Sequence, residues 1–229
     1  DFEQQLIGIV SHDLRNPLSA ILLGASSLLA REDLSDRTVA SIARIRSAAE
    51  RAARLIRDLL DLTRARLGGG IPIQPRAAEL RHVAQQVVDE LEPSYPDRKI
   101  SVEASGDTRG QWDPDRIAQV IGNLVTNALK YGARGTPVTV RIAAEDCEVR
   151  LSVHNQGAPI PAEVIPTLFE AGGRAAPDPT GRSVGLGLFI VDRIADAHGG
   201  RVEVRSAEED GTTFTVWLPR SPRQGGAPA

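Results

Sequence analysis

The chain has 229 residues, of which 41% are hydrophobic and 25% charged, enough for one large folded domain or two modest ones. Its formal net charge of −3 lacks the basic surplus of general nucleic-acid-binding proteins, so we expect no nucleic-acid partner. A single cysteine, Cys147, excludes an internal disulfide and a cysteine-based zinc cluster, and it favours a reducing, cytoplasmic compartment for this fragment.

The sequence contains no run close to the ~20 apolar residues of a membrane span. It also contains no methionine, so we expect it to be a piece of a longer protein. The parent protein is therefore equally compatible with a soluble or a membrane-bound location.

Residues 1–67 have the apolar spacing of two long helices separated by a polar connection at 31–36. Steps of three, four or seven residues join the apolar positions Ile7, Leu14, Leu18, Ile21, Ala25 and Leu28, and then Ile42, Ile45, Ala49, Ala52, Ile56 and Leu59. This pattern predicts an antiparallel helical hairpin. Further apolar residues widen both stripes, and a second copy would bury them in a four-helix bundle. We therefore predict a homodimer through residues 1–67.

Glycines at 68–70 predict a hinge, which we place at residues 68–75. Residues 76–220 then interleave helical and alternating segments, which predicts a two-layer α+β sandwich. The predicted helices are 78–92, 113–131 and 185–198, and the predicted strands are 99–104, 137–144, 147–153, 201–206 and 212–218. Residues 170–184 are rich in Gly, Ala, Pro and Arg and predict a mobile loop, and the tail 221–229 is predicted to be disordered.

The segment at residues 11–18 contains a histidine, His12, beside the apolar seam, so its imidazole is expected on the flank of the bundle. A neutral imidazole nitrogen is a competent nucleophile, and Asp13 offers a hydrogen-bond acceptor for the other ring nitrogen. Pro17 removes a backbone hydrogen bond to the carbonyl of residue 13 and loosens this turn. On these residues alone, an ordinary surface histidine in a coiled coil is the commoner alternative.

A polar stripe lies on the predicted helix at 113–131. Asn123, Asn127 and Lys130 are spaced four and three residues apart and share one face, while the opposite face is apolar. Two amides and an ammonium group suit phosphates and a hard cation, and Tyr131 could stack on a base. The alternative is a solvated polar face.

Three glycine-containing segments follow, at residues 155–160, 185–188 and 211–214. Glycine lets backbone amides approach a phosphate or a base closely. Any one of these segments alone is a weak signal, because each glycine could simply turn the chain or begin a helix. Their order and spacing along the chain, taken together, are more specific for a nucleotide site than any single segment.

Taken together, these segments resemble the motifs of sensor histidine kinases. Residues 11–18 resemble the phosphoacceptor box, 123–131 the asparagine box, 168–170 the phenylalanine box and 185–188 the second glycine box. The motifs occur in the family's order and cover the chain from about residue 5 to 219. The resemblance implies a helical hairpin that forms a dimeric four-helix bundle, followed by an α+β ATP-binding domain of the kind shared with gyrase and heat-shock ATPases.

The resemblance also implies roles for individual residues. His12 would be the phosphoacceptor, Asp13 its activating acid or base, and Asn16 the residue that positions a water for dephosphorylating the partner. Asn127 would be the Mg²⁺ ligand, and residues 170–184 would form a lid over ATP. The implied nucleotide contacts are Asn123, Asn127, Lys130, Tyr131, Asn155, Gly157, Ile160, Arg182, Gly185, Leu186, Gly187, Leu188 and Thr213.

Three departures from the family pattern concern the nucleotide site. Asn155 stands where relatives usually place an aspartate that accepts a hydrogen bond from the adenine amino group, and Pro159 replaces a motif glycine. Residues 171–173 lack a further aromatic. Neither a phosphate ligand nor a metal ligand is lost, so we expect activity with weaker nucleotide affinity. We expect a structural role for His198 at a helix end, with Gly199 turning the chain.

The implied function is ATP-dependent autophosphorylation on His12, phosphotransfer to an aspartate of a response regulator receiver domain, and phosphatase activity toward that partner. An upstream sensor domain is expected in the parent chain. One alternative is another ATPase of this fold, but those enzymes carry an acidic residue where this chain has Asn123 and lack the histidine-bearing hairpin. The other is a degenerate kinase that serves as a dimeric scaffold, which Asn155 and the altered lid keep open.

Overall fold

The computed structural model describes residues 2–31, 33–68, 70–173 and 185–221, and it describes their side chains except those of residues 2–13 and 15. The chain divides into two compact units, Asp1–Gly69 and Gly70–Ala229. Arg182, most of the predicted lid and all but the first residue of the predicted disordered tail lie outside the described residues. Among the described residues, no helix has both the length and the apolarity of a membrane span.

The first unit is a helical hairpin, which confirms the prediction. Helix α1 (Phe2–Leu29) continues through Pro17, and α2 (Asp36–Arg66) begins after Ser35, whose side chain accepts a hydrogen bond from Thr38 N at 3.3 Å. Such a cap satisfies one of the free amides at the start of a helix. Small and branched residues from both helices, Ala25, Ile42 and Ala49, are buried.

Within its described residues, the second unit has three α-helices and seven strands. In chain order these are β1 (Arg76–Glu79), α3 (Leu80–Leu91), β2 (Ile100–Ser105), β3 (Arg109–Trp112), α4 (Pro114–Tyr131), β4 (Val138–Ala144), β5 (Glu148–Asn155), α5 (Gly187–Ala197), β6 (Arg201–Ala207) and β7 (Gly211–Pro219). Five strands form one sheet in the order β2-β4-β5-β7-β6, in which β2 and β4 are parallel and the other pairs antiparallel. Strands β1 and β3 form a separate antiparallel pair.

Buried and more exposed side chains alternate along the strands and so distinguish the two faces of the main sheet. The buried face includes Val140, Ile142, Leu151, Val153, Phe214 and Val216. Helices α3, α4 and α5 contact the strands and bury Val87, Ile117, Ile121, Leu124, Ile190 and Ile194. The unit is therefore a two-layer α+β sandwich, as predicted, with its core between the helices and one sheet face.

Two local predictions were wrong. Residues 78 and 79 were predicted to begin a helix, but Ala78 pairs with Gly110 and Glu79 with Arg109 in the small sheet. Helix α5 begins two residues later than predicted, because Gly185 has a φ of +73° and cannot continue a right-handed helix.

The two helix-end predictions are confirmed. Asp113 caps α4, and Pro114 occupies its first turn, where a missing N–H costs nothing. His198 Nδ1 lies 2.8 Å from the carbonyl oxygen of Ile194 at the end of α5, and Gly199 follows with a φ of +72°. Burial of the His198 ring lowers its pKa, so the ring is held in its neutral form.

Candidate nucleotide site

Helix α4 presents two asparagines one turn apart on its outer side. Its apolar residues Ile117, Val120, Ile121 and Leu124 are fully buried in the core. Asn123 and Asn127 lie on the other side of the helix and are partly exposed. The helical period that buries the apolar face therefore aligns the two amides toward a potential ligand.

Asn123 connects α4 to the start of α5. Its Nδ2 donates a hydrogen bond to the carbonyl oxygen of Gly187 at 3.2 Å. A Cβ on Gly187 would lie 3.6 Å from Asn123 Cγ, which is ordinary contact, so the two segments approach closely here. Leu186 beside this glycine is buried and Leu188 is partly exposed. The structure thus brings together the asparagine segment and the glycine segment at 185–188.

The surroundings of Asn127 fit a magnesium ion that is bound through a nucleotide. Within the described part of the chain, its amide makes no hydrogen bond, and no three His, Cys, Asp or Glu side chains cluster as a metal cage. Mg²⁺ in nucleotide sites takes one or two protein oxygens and completes its shell with phosphate oxygens and water. A lone amide oxygen would be compatible with that chemistry if a triphosphate bound beside it.

At the end of α4, the ammonium group of Lys130 lies 4.9 Å from the centre of the Tyr131 ring, a cation–π contact. The Tyr131 side chain is exposed, so one ring face can still receive a base.

Asn155 is a buried residue at the end of β5, close to the C-terminal end of α4. It is only 5% exposed and pairs with Val138 on β4 and Thr212 on β7. A Cβ on Gly157 would lie 2.8 Å from the Tyr131 carbonyl oxygen and 3.3 Å from Asn155 Nδ2, so glycine permits this close approach. Asn155 Nδ2 donates to the carbonyl oxygen of Gln156 at 3.2 Å, which leaves its Oδ1 as the available acceptor.

The loop after Asn155 is fastened to the neighbouring strands. The backbone N–H of Ile160 donates to Ser206 Oγ at 2.9 Å, and that oxygen lies 2.7 Å from Thr212 Oγ1. Gly211 has a φ of +69°, and a Cβ there would collide with the backbone oxygen of Asn155. Ser206 and Gly211 thereby hold the loop and the buried amide in place.

Thr213 is not brought together with the other predicted nucleotide residues. Its Oγ1 lies 3.0 Å from Nδ1 of His154, and both residues belong to the sheet face opposite Asn155. Partial burial, followed by the charge of Arg141, lowers the pKa of His154. The buried Thr212 lies on the Asn155 face instead and was not predicted. Thr212 lies two residues before the apolar Phe214, and residues two apart in a strand share a face, so this spacing could have indicated that Thr212 faces the core.

The described ends of the predicted lid lie close together. Phe169 contacts Phe214 edge to face at 6.3 Å between ring centres, and Gly172 N donates to Gly185 O at 3.3 Å. Gly172 and Gly185 are therefore close together, and Gly185 lies two residues before the Gly187 that contacts Asn123, whereas residues 174–184 are outside the described part of the chain.

The predicted phosphoacceptor segment lies within α1. The side chains of His12 and Asp13 are outside the described set, and Asn16 is exposed one turn further along the helix. Pro17 lies inside this same helix. The helical backbone puts Asn16 four residues after His12, on the same side of α1.

Two family models match the chain. Residues 2–68 match the His Kinase A (phospho-acceptor) domain. Residues 112–222 match the Histidine kinase-, DNA gyrase B-, and HSP90-like ATPase domain. The first match contains His12 and the second contains every described residue of the candidate nucleotide site.

Curated relatives match over nearly the whole chain. A bacteriophytochrome of Pseudomonas aeruginosa is 35% identical over 94% of this chain and 29% of its own length. The adaptive-response sensory kinase SasA of Synechococcus elongatus is 31% identical over 95% of this chain and 59% of its own length. The probable sensor histidine kinase TcrY of Mycobacterium tuberculosis is 34% identical over 94% of this chain and 46% of its own length. The chain thus spans between 29% and 59% of the length of these relatives.

Solved structures give the same result. The catalytic domain of the histidine kinase ThkA aligns with a TM-score of 0.58 and 26% identity, over 66% of this chain and 99% of its own. Full-length ShkA in complex with AMPPNP aligns with a TM-score of 0.70 and 26% identity, over 98% of this chain and 47% of its own.

Proposed function

The chain belongs to the family of sensor histidine kinases, and we propose that it uses ATP and Mg²⁺ to phosphorylate its own His12 and passes the phosphoryl group to an aspartate of a response regulator. The observation that carries the proposal is the contact between Asn123 and Gly187, which joins two nucleotide segments in a chain that also has a phosphoacceptor domain. An acidic residue that would activate water, as in the related ATPases, is missing at position 123.

The nucleotide roles follow from the chemistry of each side chain. Asn155 Oδ1 would accept a hydrogen bond from the adenine amino group, and Tyr131 would contact the ring. Asn127 would give an oxygen to Mg²⁺, while Asn123 and Lys130 would face the phosphates. When bound, Mg²⁺ would supply positive charge that offsets the charge of the triphosphate. We assign the remaining contacts to the backbone of Gly157 and of residues 185–188, and to the side chains of Ile160 and Arg182.

In the proposed chemical step, the unprotonated ring nitrogen of His12 forms a bond to the γ-phosphorus. The bond from that phosphorus to its bridging oxygen breaks, and ADP leaves. Asp13 accepts the hydrogen bond from the other ring nitrogen and takes up its proton, so that a neutral phosphoimidazole remains. Asn16, one turn away, would hold the water that later dephosphorylates the response regulator.

Labelling with γ-labelled ATP separates this proposal from the two alternatives. An autokinase transfers label to the protein only when Mg²⁺ is present. Release of labelled phosphate without any label on the protein would favour an ATPase of another class. A folded protein that neither binds ATP nor becomes labelled would favour a scaffold, and either result would contradict the proposal.

We further propose a homodimer through the hairpin, because seam residues remain uncovered in one chain. Ile21, Leu28, Ile45 and Leu59 are 46%, 42%, 55% and 56% exposed, respectively. Burial of apolar area contributes roughly 25 cal/mol per Å², so a partner hairpin would gain free energy by covering these positions. Because the chain spans only part of its relatives' length, we also propose that the parent chain carries a sensor domain.

The dimer predicts a specific result in light scattering. At a concentration on the order of 10 µM, where micromolar affinities already give association, the chain should have twice the mass of the monomer. Replacing Ile45 and Leu59 with glutamate should shift the protein toward monomer, because the charges would have to be buried. Replacing the exposed Arg44 and Arg51 with glutamine is the matched control on the same helix. A stable wild-type monomer would contradict the prediction.

A second prediction concerns Asn155→Asp. The change places an ionised acceptor opposite the adenine amino group, and hydrogen bonds with one charged partner are the stronger kind. We expect tighter ATP binding by on the order of 1 kcal/mol, measured by calorimetry with a non-hydrolysable analogue. Asn155→Ala is the control and should weaken binding. A large loss of affinity in the aspartate variant would mean that position 155 acts through its amide donor.

A further inference from the structure

Asp113 uses its two carboxylate oxygens for different purposes. Oδ1 accepts hydrogen bonds from the backbone N–H groups of Asp115 and Arg116, both at 3.1 Å, and so caps α4. Oδ2 accepts a hydrogen bond from the backbone N–H of Gln74 at 2.8 Å, 39 residues earlier in the chain. The residue is only 8% exposed, so its charge is satisfied by these three donors rather than by bulk water.

The backbone of the same residue is also fixed. Asp113 N donates to Nε2 of His198 at 3.0 Å, while Nδ1 of that ring bonds the carbonyl oxygen of Ile194 on α5. The ring is therefore neutral, with its proton on Nδ1 and its lone pair toward Asp113. Asp113 is thus hydrogen-bonded to Gln74, to the first turn of α4 and, through His198, to the end of α5. Helix α4 carries Asn123 and Asn127, and α5 begins at Gly187.

Gln74 belongs to residues 70–75, the segment at the start of the second unit that leads from the first unit to β1. Gly68 and Gly70 have φ values of +76° and +61°, and a Cβ on either would meet nothing within 4 Å. Pro72 and Pro75 have no N–H to donate. Within the described part of the chain, the bond from Gln74 N to Asp113 is the only hydrogen bond made by the backbone of residues 70–75. We call the contact of Gln74 with Asp113 the linker latch.

We propose that Asp113 is a positioning residue that, through the linker latch, fixes the point at which the phosphoacceptor domain is tethered to the nucleotide helices. This inference rests on the proposed autokinase function. Phosphoryl transfer depends on orientation of the reacting groups, and a tether held on α4 restricts that orientation. The cap on α4 does not require the latch, so the latch acts on transfer to His12 and leaves nucleotide binding intact.

Two substitutions break the latch from opposite sides. Asp113→Asn keeps one oxygen, and asparagine caps helices as well as aspartate, but the amide nitrogen cannot accept a bond from Gln74 N. Gln74→Pro removes the donor itself, at an exposed residue that already precedes Pro75 and is therefore biased toward extended backbone. Gln74→Ala is the matched control, because it keeps the N–H.

Each latch variant should label His12 about tenfold more slowly than wild type, equivalent to about 1.4 kcal/mol, with ATP affinity within about twofold. The double variant should be no slower than either single variant, because both remove one interaction. Gln74→Ala should match wild type. Wild-type labelling in either latch variant, multiplying effects in the double variant, or a parallel loss of ATP affinity would overturn the latch. Absence of labelling in the wild type would instead overturn the proposed function on which the latch rests.

Discussion

Replacing Asn127 with alanine is expected to abolish Mg²⁺-dependent ATP binding while the protein stays folded. The side chain is partly exposed on α4, and the described residues make no hydrogen bond to its amide, so its loss leaves no buried group unpaired. The triphosphate needs a cation to offset its charge, and the amide oxygen is a suitable hard ligand for that cation. Calorimetry with a non-hydrolysable ATP analogue and Mg²⁺ measures the effect, and thermal unfolding checks the fold.

The same titration in EDTA is the internal control for this variant. Without Mg²⁺, wild type and Asn127→Ala should bind the analogue equally weakly, since the side chain acts through the metal. Asn127→Asp keeps an oxygen at the same place and should retain part of the Mg²⁺-dependent affinity. A folded alanine variant with near-normal Mg²⁺-ATP affinity would show that Asn127 is not the ligand.

Gly211→Ala is expected to destabilise the second unit by about 3 kcal/mol and to weaken ATP binding. The residue has a φ of +69°, where a side chain costs about 1–2 kcal/mol. The new Cβ would also collide with the backbone oxygen of Asn155, and overpacking of this kind costs about 1–3 kcal/mol. Relief of the collision must move Asn155, the proposed adenine acceptor. Denaturant unfolding and analogue binding measure the two effects.

Gly135→Ala separates backbone strain from the collision. Gly135 has a φ of +78°, but a Cβ there would meet nothing within 4 Å. We expect this control to lose only about 1–2 kcal/mol and to keep normal ATP affinity. Equal effects of the two alanines on stability and binding would mean that the contact between Gly211 and Asn155 does not shape the nucleotide site.

Local sequence signals predicted most elements of the fold. Asp113 and Pro114 mark the start of α4, and apolar residues at helical spacing predict that the helix continues to Tyr131. The short strands β1 and β3 escaped prediction because four residues carry too little periodicity. They depend on distant contacts, such as the hydrogen bond from Trp112 Nε1 to the carbonyl oxygen of Pro219, 107 residues away.

The candidate site was predictable where a single element builds it. Asn123, Asn127 and Lys130 follow from the period of one helix. The glycine-containing segment at 211–214 points to Thr213, whereas the position of Thr213 on the opposite sheet face depends on the pairing of Asn155 with Thr212. Contacts across elements, such as Asn123 with Gly187 or Gln74 with Asp113, have no local signature in the sequence.

Asn155 illustrates what the structure adds to a sequence departure. From the sequence, the amide could donate or accept toward the base. In the fold, its Nδ2 already bonds the carbonyl oxygen of Gln156, and its backbone is held between β4 and β7. The amide is therefore turned so that its oxygen remains for a donor, which is the property that adenine recognition requires.

The most direct test of the central claim is the identity of the labelled residue after incubation with γ-labelled ATP and Mg²⁺. We predict that wild type carries one label, on His12, and that the label is lost in acid and stable in base, as expected for a phosphoramidate. His12→Gln should bind ATP normally and carry no label. Full labelling of His12→Gln, or an acid-stable label of the kind found on serine or threonine, would contradict the account.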